Sequence, residues 1–159
     1  MVERDPTDAD IEARLRLVPA QSWDALRAAA AASEREPQQE RMTWGGGEQV
    51  GTRVVDGLER PVTQMPYAVY SESTQRLIAA VGAVGGVVPY NWPGWQGLQT
   101  YSRGAGLDAA PVADAVRMTT AIIRSDRFCE GSIGGALGDG TLLAAVHRLL
   151  RWYDDQRGE

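Results

Sequence analysis

The sequence predicts an α+β fold, a predominantly helical single domain with one small β-hairpin. Three observations predict it. Apolar residues recur at helical spacing along most of the chain, behind cap residues such as Thr7, Ser71 and Thr141. A single Asp56-Gly57 turn signal lies between two strand-like runs. The 159 residues, 43% of them apolar, suffice for one core without support from disulfides or metals.

The elements follow in chain order. Thr7 caps a first helix, in which Ile11, Leu15 and Val18 share a face, and Pro19 stops it. Ser22 caps a second helix through about Ser33, with Trp23 and Leu26 inward. Residues 1–33 thus read as an N-terminal helical hairpin. Residues 34–48 are charged and contain Pro37 and the run Gly45-Gly46-Gly47, so they are expected to be a loop. A strand over 49–55 turns at Asp56-Gly57 and returns within 60–70, where Pro66 interrupts it. Ser71 or Ser73 caps a helix through Ala83, and Gly85 and Gly86 end it. The aromatic segment 87–95 leads to a short helix ending near Gly104. Asp108 is expected to cap the next helix, with Pro111 in its first turn and Val112, Val116, Thr119, Ile122 and Ile123 on its apolar face. A turn and short helix occupy 127–137. Thr141 caps the last helix, whose stripe is Leu142, Val146, Leu149 and Tyr153. Asp154 and Asp155 lie at the unfavourable end of its dipole, which predicts fraying.

Composition removes several chemistries. All sixteen basic residues are arginine, so no Schiff base, lysine general base or Walker-type phosphate loop can be built. One histidine and one cysteine cannot make a Cys/His zinc site, and no metal or cofactor is expected. Cys129 has no partner for an internal disulfide, which suits a reducing, cytoplasmic setting. No signal segment opens the chain and no apolar run is long enough to span a bilayer, so no membrane role is expected. The net charge of -5 argues against strong nucleic-acid binding. The proportions of 131–152 suggest a helix-turn-helix. However, Thr141, Leu142, Ala144 and Ala145 offer few base-reading groups where a recognition helix needs them.

The candidate site residues fall in two stretches. Arg124, Asp126, Arg127 and Glu130 cluster around Phe128. Either the arginines grip an anionic ligand, or the charges form an interhelical salt-bridge network over Phe128 as a core anchor. Tyr90, Trp92 and Trp95 either wall a pocket or pack beneath a loop. A planar anion needs both rings and guanidinium groups. Any ligand site is therefore expected where Arg124, Arg127 and Glu130 meet Tyr90, Trp92 and Trp95. Trp44 beside three glycines fits either a close backbone approach to a ligand or a flexible loop. Cys129 and His147 are the available thiol–imidazole pair, read here as structural residues.

The run 124–133, followed by Gly140-Thr141-Leu142-Leu143 and Arg148-Leu149-Leu150, resembles a family of small bacterial proteins of unknown function. Pro66-Tyr67 and Trp92-Pro93-Gly94-Trp95 strengthen the likeness. Members occur especially in actinobacteria and their phages. The resemblance spans roughly residues 42–153. It implies a shared fold over the core 49–159 and no activity, and Asn91 stands where it implies an acid. The sequence thus points to a cytoplasmic, non-enzymatic domain that binds a protein partner or a small anionic ligand. The alternative is a small enzyme or sensor acting on a nucleotide-like anion through arginines and carboxylates.

Overall fold

Thr7 does what its sequence context predicts. Its hydroxyl accepts from the Asp10 N–H, and the Asp10 carboxylate returns a bond to the Thr7 N–H at 2.8 Å. This exchange holds the Asp10 carboxyl below its ordinary pKa. The computed structural model describes residues 4–158. Its helices are α1 (Asp8–Arg16), α2 (Ala20–Arg35), α3 (Gln38–Arg41), α4 (Glu72–Ala83), α5 (Gly97–Thr100), α6 (Val112–Ser125), α7 (Ser132–Gly138) and α8 (Thr141–Gly158). Four strands lie between α3 and α4: β1 (Met42–Gly45), β2 (Gln49–Val55), β3 (Leu58–Thr63) and β4 (Tyr67–Tyr70).

Helices α2, α4, α6 and α8 build the core. Helix α6 is apolar on most of its circumference, and Val112, Ala113, Val116, Met118 and Ile122 are all buried. Its two buried threonines hold the chain that follows α4. Thr119 donates its hydroxyl proton to the Gly86 carbonyl at 2.5 Å. Thr120 accepts from the Val88 N–H at 3.0 Å. On the far side Trp23 stacks on Tyr153 with centroids 4.7 Å apart. Asp154 does not fray. It receives Arg27 of α2 at 2.6 Å, which ties the end of α8 down against the dipole.

Four expectations need correction. Residues 34–48 are not a loop. Helix α2 runs on to Arg35, Pro37 fixes the backbone ahead of α3, and Met42–Gly45 is a strand. The hairpin is longer than its turn signal suggested, because β1 and β4 pair outside β2 and β3. Two helix starts also differ. Pro19, not Ser22, precedes α2, and Pro111, not Asp108, precedes α6. In each case a proline pre-sets the entry dihedral without a side-chain cap. Ser71 caps α4 as predicted, and Thr141 stands at the start of α8 as its first residue rather than its cap. The Ser71 hydroxyl accepts from the Thr74 N–H at 3.1 Å, and Asp139 supports Thr141 through its N–H at 2.9 Å.

Candidate functional site

The strands form one continuous antiparallel ribbon rather than two sheets apart. Asp56 (φ 53) and Gly57 (φ 75) make its tip, both left-handed as a tight hairpin turn requires. The outer and inner pairs join where the Gly47 N–H meets the Gln64 carbonyl at 2.7 Å and the Gln64 N–H meets Glu48 at 2.9 Å. Gly46 and Gly47, both at positive φ, bend β1 into β2 there. Gly45 lies under the Tyr67 ring, where an added Cβ would stand 2.5 Å from it. The glycines beside Trp44 therefore shape a ribbon and are not a loop around a ligand.

The predicted turn of arginines and acids is the socket for this ribbon. Asp126 accepts from the Tyr70 hydroxyl at 2.5 Å and from the Ile133 N–H at 3.2 Å. Burial and that carboxylate both raise the Tyr70 pKa. Glu130 accepts from the Ala68 N–H at 2.9 Å, filling an edge donor of β4. The Trp44 ring covers Gly131, and the Met42 sulfur sits against Gly134. The acids of the cluster are thus spent on the ribbon root. Among the described residues, Arg124 and Arg127 make no ion pair, so the expected salt-bridge network does not form. Phe128 is no core anchor either, being 82% exposed. Its ring meets Trp92 with centroids 6.4 Å apart. The two predicted stretches do touch, at that one pair of rings.

Tyr90 and Trp95 go elsewhere. They meet edge to face at 6.2 Å and pack against the core. Together with Asp5, Pro6 and Arg117 they line a cavity of about 400 Å³. Arg117 is already neutralised there, by Asp8 at 2.7 Å and Asp114 at 2.8 Å. Asp114 also accepts from the Tyr101 hydroxyl at 2.7 Å, which pushes that phenol up to about 12. This network pins residues 5–8 onto α6 and leaves little charge for a ligand. The cavity takes in none of Trp92, Arg124, Arg127 or Glu130. A second, open groove of about 800 Å³ runs between α2 and α4 and is floored mainly by alanines. Cys129 is exposed, and the His147 imidazole pairs with Glu34 rather than with a nucleophile. Among the described residues no group of acids, histidines or cysteines could hold a metal.

A family model described as a family of unknown function, DUF6508, matches residues 18–155. The chain belongs to that family. The match runs from the residue before α2 through nearly all of α8, and the ribbon lies within its bounds. It begins well before residue 42, where the resemblance in the sequence was placed. No curated protein and no solved structure matches the chain.

Sequence reading missed the ribbon as a surface. The signal was present in the lack of alternation. The runs Gly51-Thr52-Arg53-Val54-Val55 and Leu58-Glu59-Arg60-Pro61-Val62 mix charged and apolar residues on both faces, so neither face has the one-sided apolar pattern of a strand packed on a core.

Proposed function

We propose that this DUF6508 domain is a non-enzymatic, cytoplasmic protein-interaction domain of bacterial or actinophage origin, and that its ribbon is the binding element. One observation carries the reading. Among the described residues eleven large apolar side chains are exposed, and eight of them lie on the ribbon: Trp44, Val50, Val54, Leu58, Val62, Met65, Tyr67 and Val69. Phe128, a ninth, stands beside its socket. A two-stranded ribbon gains little stability alone in water, and grouped exposed apolar side chains mark contact surfaces. The absence of lysine and the engagement of His147 with Glu34 leave the domain poor in catalytic groups. The acidic chain is not expected to bind duplex nucleic acid strongly. The buried Thr141 and Leu142 further weaken the helix-turn-helix reading.

A photo-crosslinking residue at position 54, with position 151 on α8 as control, tests this in the producing cell. Discrete protein adducts from position 54 alone are expected. Equal or absent labelling at the two positions would remove the reading.

A second reading rests on Arg124 and Arg127. Among the described residues neither makes an ion pair, and Arg127 directly precedes Phe128, whose ring meets Trp92, so a nucleotide-like anion is the alternative ligand, with a sensor or enzyme role. Native mass spectrometry of the purified protein tests it. A retained phosphate-bearing molecule, lost in Arg127→Ala, would replace the protein-interaction reading.

A further inference from the structure

The two edges of the ribbon are unlike. The outer edge of β3 carries Pro61, which cannot donate to an added strand, and Glu59 and Arg60 beside it. The outer edge of β2 has no proline and no acid over residues 49–55, and it is rich in β-branched residues at Val50, Thr52, Val54 and Val55. Neither edge is paired, because each sheet has only two strands. Natural edges are blunted against unwanted pairing. On this ribbon Pro61 blunts the β3 edge, whereas the β2 edge is open over residues 51–55, beyond the register shift at Val50.

Charge says what fits that edge. Arg53 and Arg60 are direct cross-strand partners and so share a face. Like charges placed opposite one another destabilise a ladder. No carboxylate relieves them, since neither arginine makes an ion pair among the described residues. On the same face, two residues to either side, lie Val55 with Leu58 and Gly51 with Val62. A strand added to β2 places its own residues in line with these rows.

We propose that the open β2 edge accepts an extended, acidic segment of a protein partner by strand addition. The segment sets one Asp or Glu opposite Arg53 and apolar residues two positions to either side. This rests on the ribbon being the interaction element and adds the partner's chemistry. Main-chain hydrogen bonds supply the general affinity, and the acid between two apolar residues supplies the choice. A second copy of this chain fits poorly. Antiparallel pairing of two β2 strands would bring the Arg53 and Arg60 of both copies onto one face with no acid among them.

The probe is a seven-residue peptide, Thr-Val-Thr-Glu-Thr-Val-Thr, blocked at both ends and carrying a soluble tag. Its pattern reads the same in both directions, so strand orientation does not matter. It is titrated into the full chain and followed by amide NMR shifts. Shifts over 49–55 are expected, with little change over 58–63. The same peptide with central lysine should bind at least tenfold more weakly. Alternate N-methylation of the peptide should abolish binding, because the edge hydrogen bonds are lost. Arg53→Glu in the protein should reverse the preference between the two peptides. The proposal is overturned by no binding at millimolar peptide, by equal binding of the glutamate and lysine peptides, by binding that survives N-methylation, or by shifts on β3. It is also overturned by a dimer that Val54→Asp dissociates, or by duplex DNA outcompeting the peptide at β2. If any of these occurs while position 54 still crosslinks to protein, the acidic-strand proposal fails and the interaction reading stands. If the crosslinks are absent as well, both fail.

Discussion

In the helical body most large apolar side chains leave solvent: Trp23, Leu26, Leu77, Val116, Leu142 and Leu149 are all buried, with Leu17, Leu98 and Phe128 as exceptions. In the ribbon, residues of the same chemistry stay in water. The charges divide in the same way. The body's Arg117 is held by two carboxylates, whereas the ribbon's Arg53 and Arg60 face each other with none. The body has thus used its apolar surface and its charge to fold, and the ribbon has kept both. Stability should therefore be read from the body and recognition from the ribbon.

The largest effect should follow from Leu149→Ala. Leu149 is 0% exposed, and emptying such a site costs about 3 kcal/mol. Val54 is 67% exposed, and Val54→Ala should change stability by less than about 0.5 kcal/mol. Urea midpoints of the two variants measure the contrast. A comparable loss in both would mean that the ribbon is covered by the fold.

Next is Arg117→Ala. The Arg117 and Asp114 side chains are only 15% and 19% exposed, and removing the arginine leaves Asp114 without its cation, whereas Asp8 is half exposed. A loss of about 3 kcal/mol is expected. Arg127→Ala, on an exposed residue without an ion pair, should stay within about 0.5 kcal/mol. If Arg127→Ala proves the costlier, the turn is an ionic scaffold after all.

Alkaline pH should loosen the body and the ribbon root. Burial raises the Tyr90 phenol and burial raises Tyr70, the latter aided by Asp126; the Asp114 hydrogen bond raises Tyr101 to about 12 from an ordinary 10.0. All three shifts are upward, so their stabilisation is complete below pH 10 and is lost as pH rises through each raised value, about 12 for Tyr101 and higher for Tyr70 and Tyr90. Phenolate absorbance followed alongside far-ultraviolet circular dichroism should show late ionisation coinciding with unfolding. Ionisation of all five tyrosines near pH 10 in a still-folded protein would remove these hydrogen bonds from the account.

How much could be seen in the sequence divides along the same line. Helices with one-sided apolar stripes, such as α4 and α8, and caps such as Thr7 and Ser71 were legible, because period and cap chemistry are local. The Asp56-Gly57 turn was legible for the same reason. Strand β1 was not. Its four residues become a strand only by pairing with β4, about 25 residues away, and the run Gly45-Gly46-Gly47, which begins at its last residue, disguises it. The candidate site was half legible. Trp92 and the Arg124–Glu130 turn do meet, but only the fold shows that Asp126 and Glu130 are committed to Tyr70 and Ala68. Phe128 misled for a physical reason: a lone phenylalanine between helices is expected inside, and here it lies outside next to the ribbon socket.

The smallest effect bears most directly on the ribbon. Arg53 and Arg60 are direct cross-strand partners, a pairing that costs a few tenths of a kcal/mol when both are charged and exposed. Arg53→Glu turns the repulsion into an attraction across the same row. The variant should therefore stabilise the ribbon, by about 0.5 kcal/mol, without touching the body. Global unfolding would barely register this, because the body sets the midpoint. Amide hydrogen exchange over 49–63 would, since local opening reports local free energy. Slower exchange there, with unchanged exchange in α6 and α8, is the expected result. Faster exchange on the ribbon would mean that Arg53 already has a stabilising contact and that the two regions differ less in charge than Arg117 and Arg53 suggest.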